Sequence, residues 1–223
     1  MRIVNLEKSY GARRVLQGLS LEIAYGEITC IIGKSGVGKT TLLNAIAGIF
    51  ECGGEIFPKP SSVGYVFQND RLIPYLTVRE NLHYVGGRDE MIDELLREAD
   101  IFSCAERKAA TLSGGEKRRL SLVRAFCVPS ELVLLDEPFS ALDTVTKERL
   151  LLMTKTLLTR FKKTAVLVTH DLDEAFAVAD KIALLDQGKI VYELRLPASD
   201  GLREYGSLAA ERKELIERLR KAD

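Results

Sequence analysis

A chain of 223 residues is long enough for one sizeable α/β domain with room for an inserted subdomain. Lysine plus arginine and aspartate plus glutamate each total 32, so the formal charge is zero, which argues against a protein whose business is gripping nucleic acid. Cys30, Cys52, Cys104 and Cys127 form no CxxC pair and read as reduced thiols of a cytosolic protein, not as a metal or disulfide framework.

The opening Met1-Arg2-Ile3-Val4-Asn5-Leu6 reads as a short strand rather than a signal peptide. A second strand over 15–23 follows the Tyr10-Gly11 turn, and the pair predicts an antiparallel β layer. Glu27-Ile28-Thr29-Cys30-Ile31-Ile32 is nearly continuous in apolar residues, as a strand buried on both faces must be.

Next comes Gly33-Lys34-Ser35-Gly36-Val37-Gly38-Lys39-Thr40, a complete GxxxxGK[ST] phosphate-binding loop. Its glycines let successive N–H groups converge on phosphate oxygens, and the following helix adds its positive N-terminus. Lys39 can reach the β- and γ-phosphates, and the Thr40 hydroxyl can sit on Mg²⁺. Leu42, Leu43, Ile46 and Ala47 recur at helical spacing up to Gly48, a natural stop.

Short strands are expected at 53–56 and 63–67, the second ending in Gln68, whose amide can touch Mg²⁺ or an attacking water. From Thr77 to Val128 the pattern turns helical, an α-helical insertion. Within it Leu112-Ser113-Gly114-Gly115-Glu116 opens a helix that Ser113 can cap, a second anion-ready helix start. Two phosphate sites with one set of catalytic acids make sense if two copies pair head-to-tail. The cluster Lys117-Arg118-Arg119 reads as a solvated face, and His83 as a helical residue without partners or role.

The apolar run Leu132-Val133-Leu134-Leu135 ends in Asp136-Glu137-Pro138. Two acids at the tip of a buried strand are costly unless a cation stands before them. Asp136 is expected to hold Mg²⁺, and Glu137 to polarise the attacking water as general base. A helix around 147–161 leads to the strand Ala165-Val166-Leu167-Val168, with His170 at its C-terminal tip, where it can donate to the γ-phosphate. Strands alternating with helices imply a parallel sheet with right-handed crossovers. Asp186-Gln187-Gly188-Lys189 reads as a hairpin turn. The tail from Ser207 reads as a solvated helix packed on the domain edge through Leu208, Leu215 and Leu219. No apolar run approaches membrane-spanning length, since Lys155 interrupts 150–158.

Taken together, the phosphate loop, Gln68, the signature at 112–116, the acids at 136–137, Ser140-Ala141-Leu142-Asp143 and His170 occur in an order that resembles the ATP-binding cassette ATPase of a transporter, over nearly the whole chain. That resemblance implies an α/β phosphate-loop NTPase fold: a RecA-like core (1–68 and 131–200) with a parallel sheet, an N-terminal antiparallel β layer, a helical subdomain at about 69–130 and a helical tail at 207–223. It implies that Tyr10 stacks on adenine, that Gly33 to Thr41 cradle the nucleotide, with Thr40, Gln68 and Asp136 on Mg²⁺ and Lys39, Glu137 and His170 in hydrolysis. It implies that Leu112, Ser113, Gly114, Gly115 and Glu116 act on the ATP of a partner subunit, and that Ser140, Ala141, Leu142 and Asp143 communicate across a homodimer. The implied place is cytoplasmic, peripheral on the inner face of a bacterial or archaeal cell membrane. There transmembrane permease subunits are contacted near residues 69–80, a solute-binding protein is an indirect partner, and nucleic acid is not a partner.

The run Phe67-Gln68-Asn69-Asp70-Arg71-Leu72-Ile73-Pro74-Tyr75-Leu76-Thr77-Val78-Arg79-Glu80-Asn81 is similar to the nitrate, sulfonate and taurine importer group. The chain departs from common importer patterns at Ala109-Ala110-Thr111 and at Glu116, where Gln or Met is frequent. The alternatives are an export or lipoprotein-release ATPase, a soluble cassette ATPase of ribosomes or DNA, a regulatory module without turnover, and a small-molecule phosphotransferase. Soluble cassettes usually carry two cassettes or a long coiled-coil insertion, which these residues lack. Glu137 and His170 speak for turnover, and a phosphotransferase has no use for the signature turn.

Overall fold

A computed structural model describes residues 1–140, 142–199, 201–204 and 206–221. Three strands form an antiparallel layer in the order β2-β1-β4: β1 (Arg2–Tyr10), β2 (Arg13–Glu22) and β4 (Gly53–Phe57). Its inner face buries Ile3, Leu6, Leu16, Leu19 and Leu21, with Ile56 partly buried against them. β1 runs on to Tyr10 instead of ending at Leu6, because a strand with one solvated face tolerates Glu7 and Lys8.

The larger sheet joins β3 (Ile28–Ile32), β5 (Gly64–Val66), β6 (Leu132–Asp136), β7 (Thr164–Thr169), β8 (Lys181–Asp186) and β9 (Lys189–Arg195) in the order β5-β6-β7-β3-β8-β9. All neighbours are parallel except the hairpin β8–β9, turned at Gln187 and Gly188. The apolar runs divide by alternation. Cys30, Val133, Leu135, Leu167 and Leu184 enter one core; Ile31, Leu134, Val166, Val168 and Leu185 enter the other. Each such side chain contributes about 1.5–3 kcal/mol by burial.

The second core is closed by α1 (Lys39–Ile46) and the antiparallel layer. Against the first lie α5 (Thr144–Arg160), α6 (Leu172–Val178) and three helices that follow β5: α2 (Val78–His83), α3 (Asp89–Glu98) and α4 (Gly114–Cys127). The helix α7 (Ala209–Lys221) docks there too, through fully buried Leu215 and the partly buried Leu208 and Leu219. The three leucines expected to pack the tail are the ones that join it to the core. Among the described residues no helix is long and apolar enough to cross a membrane.

Two helix starts are locally encoded. Thr77 and Glu80 form a capping box for α2, as Ser113 and Glu116 do for α4. β5 and α4 approach so closely that a Cβ on Gly64 would stand 2.2 Å from the Ala125 carbonyl oxygen. His83, expected to lack partners, has two: Nδ1 meets the Gly87 carbonyl at 3.0 Å and Nε2 meets Asp89 at 3.1 Å. The turn after α2 folds back on the histidine, which spacing within a helix cannot reveal.

Candidate nucleotide site

Parallel strands deliver their C-terminal ends to one edge, so β3, β5, β6 and β7 present the phosphate loop, Gln68, Asp136-Glu137 and His170 together. A cleft of about 460 Å³ there is lined by Tyr10, Ser35, Gly36, Gly38, Lys39, Thr40, Thr41, Gln68 and Glu137, and by Arg13 and Val15. At Gly38 the backbone has φ 115°, and a Cβ would meet Val15 at 3.0 Å, so glycine alone permits this curl into α1.

Lys39 is buried and donates from Nζ to the carbonyls of Gly33 (2.8 Å) and Lys34 (3.1 Å), with Glu137 Oε1 at 4.0 Å. Burial lowers its pKa, an effect partly offset by Glu137 and Asp136. Asp136 is buried and accepts from Thr40 Oγ1 at 3.2 Å. Burial raises its pKa, against the hydrogen bond from Thr40. An acid held this way is at odds with its surroundings until a cation compensates it.

Glu137 sits in the left-handed region at φ 45° and its N–H donates to the Val168 carbonyl across the sheet. That conformation turns its carboxylate into the cleft, where His170 Nδ1 approaches Oε1 at 3.3 Å. Ser140 Oγ donates to the Glu137 carbonyl at 3.0 Å, Leu142 packs against the core, and Asp143 caps α5 by accepting from the Thr146 N–H. Ala141 lies outside the described residues.

The signature stands apart. None of residues 112–116 lines the cleft of their own chain. Ser113 Oγ accepts from the Glu116 N–H at 3.3 Å, and Glu116 accepts from the Ser113 N–H at 2.7 Å. The Ser113 bond is the main reason that the Glu116 pKa falls to about 2. A Cβ placed on Gly114 or Gly115 would meet nothing within 4 Å. Nothing among the described residues therefore demands glycine at those two positions.

Two residues escaped the sequence. Arg13 reaches the Gly36 carbonyl at 2.9 Å, and the hairpin register that pairs Tyr10 with Arg13 was the signal for it. Arg118, read as part of a solvated face, is buried: it donates to the carbonyls of Glu137, Pro138 and Phe67 and to Asp70. Its positions i+3, i+4 and i+7, Ser121, Leu122 and Ala125, are buried too, and that stripe marked its face.

Residues 16–140 match the family model described as "ABC transporter". The chain is 38% identical over 94% of its length to an "Aliphatic sulfonates import ATP-binding protein SsuB 2" of Burkholderia cenocepacia, covering 83% of that protein. It is 39% identical to the SsuB protein of Corynebacterium glutamicum, over 95% of this chain and 90% of the other. A solved dimeric structure of the ATP-binding cassette MJ0796, in a post-hydrolysis state with ADP and Pi, superposes with TM-score 0.78 at 30% identity, covering 89% of this chain and 99% of that one. With the cleft and its acids, these likenesses identify the chain as a member of the ABC transporter family, an ATP-hydrolysing cassette.

Proposed function

We propose that two copies of this chain pair head-to-tail, each covering the other's ATP with the turn at Ser113, Gly114 and Gly115, and that hydrolysis drives an importer of small organic anions of the sulfonate class. The observation that carries the pairing is the outward face of the signature: two glycines in open space, beside a capped helix start, far from the needs of their own fold. The solute class rests on the names of the SsuB relatives. Growth on an alkanesulfonate as sole sulfur source should be lost on deletion and restored by the gene; unaltered growth would discard that class.

In this reading Lys39 exchanges the Gly33 and Lys34 carbonyls for the β- and γ-phosphates. The backbone N–H groups of the loop bind the phosphate oxygens, and Tyr10, half exposed at 51%, stacks on adenine beside Arg13. Asp136, Thr40 and Gln68 would hold Mg²⁺, which supplies charge neutralisation at the phosphates when bound. The burial-raised pKa of Asp136 and its contact with Thr40 fit that ion. Glu137 takes a proton from the attacking water, and His170, in contact with its carboxylate, orients it and meets the γ-phosphate. A division into a core (1–68, 131–200), a helical subdomain (69–130) and a tail (207–223) follows the way the three helices after β5 cluster between strands.

Permease subunits of the membrane dock near residues 69–80, with a solute-binding protein as an indirect partner on the far side. Tyr75 and nearby Tyr84 are more than 70% exposed there, while Leu72 packs inward. The two tyrosines give a membrane partner amphipathic anchors of the kind interfaces favour. The place of action is accordingly the cytoplasmic face of the membrane.

Glu137→Gln tests the core of the proposal. The variant should bind ATP normally, lose about 10²–10⁴-fold in turnover, and elute as a dimer with ATP and Mg²⁺ in gel filtration. A monomeric variant with full activity would refute it.

A further inference from the structure

One guanidinium in α4 gathers acceptors from two segments distant in sequence. Arg118 Nε donates to the Pro138 carbonyl at 2.5 Å and Nη2 to the Glu137 carbonyl at 2.5 Å. Its Nη1 donates to the Phe67 carbonyl at 2.8 Å and to Asp70 Oδ1 at 3.0 Å, with the Gln68 carbonyl at 3.4 Å. Only 6% of this side chain is exposed. An arginine cannot shed its charge when buried, so each of these acceptors offsets its desolvation. The planar fork also fixes where they stand relative to one another.

The same helix adds further stitches to the segment that carries Gln68. Arg124 donates to the carbonyls of Asp70 (2.8 Å) and Arg71 (2.7 Å). On the other side, the Glu137 carbonyl is a meeting point: it accepts from Arg118, from Ser140 Oγ at 3.0 Å and from the Ser140 N–H at 3.3 Å. Ser113 caps α4 only five residues before Arg118, about 7.5 Å along a helix that moves as a rod.

We infer that Arg118 is a positioning residue that transmits engagement of the signature turn by a second copy's nucleotide to this copy's own Glu137 and Gln68. The inference rests on the head-to-tail reading above. A push or pull at Ser113 displaces α4, and the guanidinium carries the displacement into the two loops that flank the attacking water. Each copy thereby senses whether its signature is occupied, and ATP turnover becomes cooperative between the two clefts.

The test uses the full chain with ATP and Mg²⁺. Wild-type turnover should rise with a Hill coefficient well above 1, bounded by 2 for two sites. Arg118→Met should keep ATP affinity, measured by equilibrium binding, within about twofold, while kcat falls about tenfold to a hundredfold and the Hill coefficient drops to 1. Arg118→Lys keeps the charge without the fork and should not restore cooperativity. If the Met variant fails to fold, Asp70→Asn removes one partner of the fork and should lower the Hill coefficient without moving Tm. Wild-type kcat and Hill coefficient in the folded Met variant, or in both the Lys and Asn variants, would overturn the inference. So would a wild-type Hill coefficient of 1 with normal turnover, whereas a wild type without ATP-dependent dimers or turnover would instead overturn the reading beneath it.

Discussion

The surroundings of Asp136 disfavour its ionised form. Burial raises its folded-state pKa above the ordinary value near 3.9 of an unfolded chain. Below the unfolded value both states are protonated and the residue costs nothing; as pH rises towards the folded value the fold loses stability, and above it the loss is complete. Asp136→Asn should therefore melt higher than wild type at pH 7 without nucleotide or Mg²⁺, by roughly 2–4 °C for each kcal/mol relieved. The gain should vanish below about pH 4, and hydrolysis should be abolished. A lower Tm at pH 7 would show that the carboxylate is well accommodated. At this scale the sequence was legible where chemistry dictates residue type, as at Lys39, Thr40, Asp136, Glu137 and His170, which the fold gathers at one sheet edge. It was illegible where a charged side chain turns inward, because Lys117, Arg118 and Arg119 look alike as letters, yet Arg118 is buried on the carbonyls of Glu137 and Pro138 while Arg119 reaches those of Ala99 and Asp100 from a half-buried position.

At the scale of elements, the join between β5 and α4 governs both stability and the placement of Gln68. Gly64→Ala would set a methyl 2.2 Å from the Ala125 carbonyl oxygen, and backbone on both sides leaves no flexible atom to yield. Overpacking of this kind costs about 1–3 kcal/mol. Thermal unfolding should register that loss, and ATP turnover should fall with it, since β5 leads directly into Gln68. Unchanged Tm would mean that the helix simply slides. The buried strands were readable as apolar runs, and the hairpin at Gln187-Gly188 as a turn. The extent of β1 was not, because a half-solvated strand mixes charges with apolar residues and so blurs its own ends. The capping box of α2 at Thr77 and Glu80 was visible in principle as an S/T-x-x-E pattern.

Across the whole molecule, two hydrophobic cores share one parallel sheet, and the second core fuses the antiparallel layer to the phosphate loop. The α/β class and most of the alternation of strands and helices could be read in advance, because alternation of apolar runs with helical periodicity leaves few topologies; the short α6 was not among the expected elements. What the letters could not supply is which contacts cross long separations: Arg212 of the tail lies 5.6 Å above the Phe176 ring of α6. Such contacts depend on how the chain returns, not on local pattern.

The outward glycines at 114 and 115 carry one more consequence. If catalytic competence needs two molecules, specific activity becomes a function of dilution: output per molecule should decline as the free protein is thinned below its self-association constant. A scaffold that tethers a pair would hold them at millimolar effective concentration. Turnover would then be indifferent to bulk abundance, and stray single molecules would leave the cell's ATP largely unspent. Titrating free protein against protein bound to its membrane scaffold would expose the difference as a curve in one case and a plateau in the other.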